Sequence, residues 1–130
     1  MRVFAASDIH TDFRKNWSVV EELSGTDYLN DAIILAGDVS DLLGEVLAQH
    51  EASRTSVILD PPAEGLMARA LDLLLRGASS EIAYVSCNPA TLARDLAALV
   101  KSYKLMSVTP LDMFPQTAGI EVCAHLLRAS

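Results

Sequence analysis

One cysteine of the chain stands where a thiol could act as a nucleophile. Cys87 lies in the stretch AYVSCNP, residues 83–89, between an apolar run that predicts a strand and a segment that predicts a helix. Asn88 is a favourable N-cap residue and Pro89 suits the first helical position. The dipole and free N–H groups of a helix amino terminus favour the thiolate, which is the nucleophilic form of cysteine. The alternative is that Cys87 is a small residue buried at a turn, the usual place of a lone cysteine.

A second set of residues could bind a metal. Asp8 and His10 follow the first predicted strand, and Asp38 follows the second within the stretch GDVSD. The carboxyl ends of parallel strands lie at one edge of a sheet, where ligands bind in open α/β folds. Carboxylates and an imidazole are ligands for divalent ions such as Mn, Fe or Zn. The alternative is that both aspartates only stabilise turns, as this residue commonly does.

These residues are joined by elements that alternate between strand and helix patterns. Short runs rich in Val, Ile and Leu predict strands at residues 2–7, 32–36, 56–60, 82–86, 105–109 and 120–126. Apolar residues at helical spacing predict helices at residues 17–23, 41–49 and 66–75, and a further one whose apolar face runs from Leu92 to Tyr103. The alternation indicates βαβ units with a mostly parallel sheet.

We therefore predict an α/β fold, with residues 1–130 forming one three-layer domain of the Rossmann-like type. With right-handed crossovers, the expected order of the six strands is 2-1-3-4-6-5, and the last strand is antiparallel. The polar stretch HEASRT, residues 50–55, connects two segments, 1–50 and 56–130, whose motifs differ in kind.

Composition excludes several classes of protein. The net charge is −7 and the ten basic residues are scattered, which disfavours strong binding to nucleic acid, and aromatic residues make up only 5%. No apolar run approaches the length of a membrane span, so we expect a soluble intracellular protein without a membrane partner. Two cysteines are too few for a disulfide framework, and Cys123, inside an apolar stretch, is interpreted as a core residue.

Residues 2–43 resemble the amino-terminal part of the calcineurin-like metallophosphoesterases, through D-x-H at residues 8–10 and G-D-x-x-D at residues 37–41. The resemblance implies that Asp8, His10 and Asp38 bind divalent metals that activate a water molecule for attack on phosphorus. The later histidine motifs of that family have no counterpart in this sequence.

Residues 56–128 resemble the carboxy-terminal catalytic part of the RNA 5-methyluridine methyltransferases. Three motifs carry the resemblance: VILDPPAEG at residues 57–65, AYVSCNPATLARDL at 83–96 and LDMFPQTAGIEVCAHLLR at 111–128. The resemblance implies an RNA substrate and S-adenosylmethionine as methyl donor. It further implies that Cys87 is the nucleophile, that Glu121 is the general base, and that Asp60, Pro61 and Asn88 lie by the substrate.

The sequence departs from this second family at specific positions. Ala63 stands where the family normally has arginine, and Gly119 where it usually has histidine. None of the six glycines forms the G-x-G turn that cradles the donor. Three hypotheses follow: an incomplete uridine C5-methyltransferase fragment, whether active or inactive, a metal-dependent phosphoesterase fragment, or a folded α/β chimera without catalysis.

Overall fold

The computed structural model describes residues 2–7, 31–36, 51–77, 79–112 and 116–130. It contains the strands β1 (Arg2–Ser7), β2 (Asp31–Ala36), β3 (Thr55–Asp60), β4 (Glu81–Ser86), β5 (Tyr103–Leu111) and β6 (Glu121–Arg128). It also contains the helices α1 (Ala68–Leu75) and α2 (Pro89–Leu99), and a short 3₁₀ helix (Ala52–Arg54). The predicted helices at residues 17–23 and 41–49 lie outside the described residues.

The strands form one mixed sheet of six strands, in the order β1-β2-β3-β4-β6-β5. Strands β1 to β4 pair in parallel, whereas β6 is antiparallel to both of its neighbours, β4 and β5. The α/β class, the parallel majority and the antiparallel last strand are confirmed.

The predicted order of the first two strands was wrong. Strand β2 lies between β1 and β3, with Asp31 in register with both Arg2 and Thr55. The sequence of β2, DAIILA, is almost continuously apolar, as is typical of an interior parallel strand, whereas β1 has polar residues at both ends. Strands that follow one another along the chain are also commonly neighbours in the sheet.

The hydrophobic core lies between the two helices and one face of the sheet. Strands β3, β4 and β6 alternate between buried and half-buried residues, as expected for a period of two. The buried side chains of these strands pack with those of both helices, among them Leu59, Tyr84, Leu92 and Leu126. Both described helices thus cover the same face, and the described residues do not test the expected third layer.

Two residues lie elsewhere than predicted. Tyr103, which we placed at the end of the helical stripe, is the first residue of β5, because α2 ends at Leu99. Cys123 is half-buried on the sheet face away from the helices, since it shares that face with Glu121 and His125 by strand alternation. None of the helices that the structure describes is long and apolar enough to cross a membrane.

Candidate active site

Cys87 lies in the turn between β4 and α2, and its side chain is exposed. The turn is held by the buried residue before it: the Ser86 hydroxyl accepts a hydrogen bond from the Asn88 N–H and donates one to the Asn88 carbonyl, both at 3.1 Å. The predicted strand-to-helix turn is therefore present. It leaves the thiol accessible to a ligand, unlike the alternative in which the cysteine is buried.

Asn88 caps helix α2 with its side chain. Its Oδ1 atom accepts hydrogen bonds from the N–H groups of Ala90 at 3.1 Å and Thr91 at 3.5 Å, and Pro89 has no N–H. We expected free N–H groups at this helix end to stabilise the Cys87 thiolate, but those of Ala90 and Thr91 donate to the Asn88 side chain instead. Asn88 Nδ2 also donates to the Ala63 carbonyl at 3.0 Å, so this residue has a clear structural role. Its contact with a substrate stays a prediction.

Glu121 is the first residue of β6, the strand that neighbours β4. The last pair of the antiparallel ladder between these strands is Ser86 with Val122, and Cys87 and Glu121 are the residues that directly adjoin this pair. The fold therefore places these two residues, 34 positions apart in the sequence, at the same end of neighbouring strands.

Asp60 completes this edge of the sheet. It is the last residue of β3 and is exposed, while Pro61 behind it is buried. Leu59 is in register with Tyr84, so Asp60 lies beside the final residues of β4. Within residues 51–77, 79–112 and 116–130, no group forms a hydrogen bond or ion pair with the side chains of Asp60, Cys87 or Glu121.

A buried carboxylate that the sequence did not single out lies behind this edge. Asp95 of α2 is 1% exposed and accepts hydrogen bonds from the Tyr84 hydroxyl and the Leu66 N–H, each at 2.7 Å. Arg94 donates to its other oxygen at 2.9 Å through Nε. Burial, and then the hydrogen bond to Asp95, raise the pKa of Tyr84 well above its ordinary value, so the hydroxyl remains a donor.

Asp95 could have been found from its position. It lies between Leu92 and Leu96 on the apolar stripe of α2, where a carboxylate is rare unless it has partners. Asp95 was not predicted as a buried residue, because the surrounding stretch ATLARDL has the pattern of an ordinary amphipathic helix.

The predicted metal ligands Asp8, His10 and Asp38 lie outside the described residues. Among the residues that the structure describes, no cluster of three or more His, Cys, Asp or Glu side chains could hold a metal ion.

The described glycines do not form a cradle for a methyl donor. Gly65 has a φ of 83° and packs against α2, where an added Cβ would lie 2.5 Å from Asp95 Oδ2. Gly77, with a φ of 103°, faces the Arg128 side chain. The part of the chain that the structure describes therefore supplies the Cys87 thiol, the Asp60 and Glu121 carboxylates and the residues that support them.

Comparison with known proteins identifies similar sequences. The sequence model of the family described as tRNA (Uracil-5-)-methyltransferase matches residues 4–129. An uncharacterized RNA methyltransferase of Bacteroides thetaiotaomicron is 40% identical over 93 residues, which is 72% of this chain and 20% of that protein. Another, of Bacillus cereus, is 34% identical over 122 residues, covering 82% of this chain and 27% of that protein. The chain thus spans about a fifth to a quarter of the relatives it matches.

A solved structure is similar as well. The crystal structure of the tRNA (uracil-54, C5)-methyltransferase of Pyrococcus abyssi in complex with S-adenosyl-L-homocysteine has a TM-score of 0.54 and 30% sequence identity. The similarity covers 75% of this chain and 28% of that one. The family match includes residues 4–43, and none of these findings supports the phosphoesterase interpretation of residues 2–43.

Proposed function

Because the chain belongs to the tRNA (uracil-5-)-methyltransferase family, we propose that it is the catalytic part of an RNA uridine C5-methyltransferase. In this proposal Cys87 is the nucleophile and Glu121 is the general base. The observation that supports the proposal is the register of β4 and β6, whose last pair, Ser86 with Val122, directly adjoins these two residues.

The two residue types suit the chemistry of uracil. C5 is a poor nucleophile, but addition of the Cys87 thiolate at C6 forms a C–S bond and moves the C5=C6 electrons toward the C4 oxygen. The resulting enolate is nucleophilic at C5. Glu121 takes the C5 proton at the end of the cycle, and the electrons of that C–H bond restore the C5=C6 bond and expel the thiolate. The Cys87 thiolate is thereby restored, and the Glu121 carboxylate is restored when it releases the abstracted proton to water.

The methyl donor in this proposal is S-adenosylmethionine, which supplies the group that C5 receives. Supporting evidence is that the similar Pyrococcus abyssi structure contains S-adenosyl-L-homocysteine, the compound that remains after that donor has lost its methyl group. No described residue of this chain is assigned to binding it.

Asp60, Pro61 and Asn88 form the substrate side of the proposed site. The Asp60 carboxylate is exposed and can accept a hydrogen bond from the target base, while the buried Pro61 fixes the start of the loop behind it. Asn88 contributes mainly through the helix cap that follows Cys87. RNA is the proposed partner, and the net charge of −7 predicts weak binding.

Covalent capture of RNA tests this function. The purified chain is incubated with S-adenosylmethionine and RNA containing 5-fluorouridine, in which fluorine replaces the proton that the base must remove. We expect a protein–RNA adduct on a denaturing gel with the wild-type chain and with Cys123→Ala, but none with Cys87→Ala. If the chain has no catalytic activity, the wild type gives no adduct, and an adduct that survives Cys87→Ala would exclude the assigned nucleophile.

A further inference from the structure

The loop of residues 61–67, which connects Asp60 to helix α1, is held by a different helix. Asn88 and Thr91 donate to the Ala63 carbonyl at 3.0 and 2.9 Å, and Arg94 Nη2 donates to the Glu64 carbonyl at 2.8 Å. These residues lie at the cap and at helical spacing along α2, so they share one face of it. The loop after Asp60 is thereby attached to the helix that begins beside Cys87.

Asp95 is the point at which three segments meet. Its carboxylate accepts from the loop through Leu66 N, from β4 through the Tyr84 hydroxyl, and from its own helix through Arg94. A carboxylate that is 1% exposed is costly to bury unless its oxygens are satisfied, and these donors satisfy them. The carboxylate lies against Gly65, where any side chain would collide with it.

We propose that Asp95 is a positioning residue, which holds loop 61–67 on helix α2 and so fixes the Asp60 carboxylate relative to the Cys87 thiol. Strand β3 ends at Asp60 and strand β4 ends just before Cys87. The pairing of β3 with β4 ends at Leu59 and Tyr84, so no ladder hydrogen bonds between these two strands set the placement of Asp60 relative to Cys87. In this proposal the hydrogen bonds of Asp95 fix the position of Asp60 relative to Cys87. The consequence for catalysis depends on the proposed function, whereas the attachment of the loop does not.

The test compares Asp95→Asn with the wild type in two measurements. The first is amide hydrogen exchange at Leu66, followed by NMR, which requires no activity. Loss of a charge-assisted hydrogen bond should speed exchange at Leu66 by about tenfold or more. The second is the rate of adduct formation with 5-fluorouridine RNA. Misplacement of reacting groups should lower the maximal rate by about tenfold, with a much smaller change in the RNA concentration for half-maximal rate.

Two further variants keep the test decisive. Asp72→Asn is the matched control, because Asp72 is an exposed aspartate of α1 paired with Arg76, and it should change neither measurement. Arg94→Gln removes the hydrogen bond to the Glu64 carbonyl. Because the Arg94 side chain is 57% exposed, this variant should fold, and it should change both measurements in the same direction as Asp95→Asn but by less.

Unchanged exchange at Leu66 in Asp95→Asn would overturn the proposal, as would faster exchange with an unchanged adduct rate. If the wild type forms no adduct, the proposed function fails separately. The exchange at Leu66 then still decides whether Asp95 holds the loop.

Discussion

Replacing Gly65 with alanine should destabilise the chain more than the same change at Gly77. Both glycines have positive φ, 83° and 103°, so alanine at either position incurs a backbone cost of about 1 kcal/mol. At Gly65 the new Cβ would also lie 2.5 Å from Asp95 Oδ2 and 2.6 Å from Arg94 Nη2. Relieving that collision requires Asp95 to leave the Leu66 N–H, which costs about 2 kcal/mol for a hydrogen bond to a charged group.

The free energy of unfolding should therefore fall by about 3 kcal/mol in Gly65→Ala and by about 1 kcal/mol in Gly77→Ala. At Gly77 the nearest atom is Arg128 Nη2 at 3.1 Å, and a shift of the guanidinium by a few tenths of an ångström makes room for the Cβ without breaking its hydrogen bonds. Urea denaturation followed by circular dichroism measures both values, with an unchanged m-value as the check that the transition is comparable. Equal losses in the two variants would refute the reasoning, because the contact with Asp95 would then contribute nothing.

Three further substitutions test the supports of the site. Above pH 10 the folded wild-type chain keeps the Tyr84 proton, because the pKa of Tyr84 is raised, whereas the unfolded chain releases it. The free energy of unfolding of the wild type should therefore fall by up to about 1.4 kcal/mol per pH unit in that range. Urea titrations at several pH values should show a smaller fall in Tyr84→Phe. Asn88→Ala should lower the free energy of unfolding by about 1 kcal/mol through loss of the helix cap. Asn88→Asp keeps the acceptor oxygen, so its stability in thermal unfolding should stay close to that of the wild type. Arg128→Ala should lower the free energy of unfolding by about 1–2 kcal/mol, because Arg128 donates to the Leu74 carbonyl at 3.2 Å and lies over the Tyr103 ring. As the control, Arg76→Ala should lower it by less than about 0.5 kcal/mol, because Arg76 is exposed.

The elements nearest the site were predictable because their local signals agree. Apolar alternation marks β4, and the Asn88–Pro89 pair marks the start of α2, so the turn that carries Cys87 follows from sequence. The pairing of β4 with β6, which sets the strand ends next to Cys87 and Glu121 side by side, did not follow from local patterns, since strand register depends on contacts between distant segments. The resemblance to a family suggested both residues.

Other features depended on tertiary contacts that patterns do not reveal. Apolar content identified β1 and β2 as strands but did not determine which of them neighbours β3. Tyr103 continued the apolar spacing of α2, yet it belongs to β5 because the helix ends first. The position of Asp95 on the apolar stripe of α2 is visible in the sequence, but the three donors that allow a carboxylate to be buried there are not.

The central claim is that Cys87 is the nucleophile of a uracil site, and the position of the adduct tests it most directly. Trypsin separates the two cysteines, since Cys87 falls in the peptide of residues 77–94 and Cys123 in that of residues 105–128. After capture of 5-fluorouridine RNA and nuclease digestion, mass spectrometry should find the nucleotide remnant on the peptide of residues 77–94. A remnant on the peptide of residues 105–128, or no remnant on either, would contradict the account.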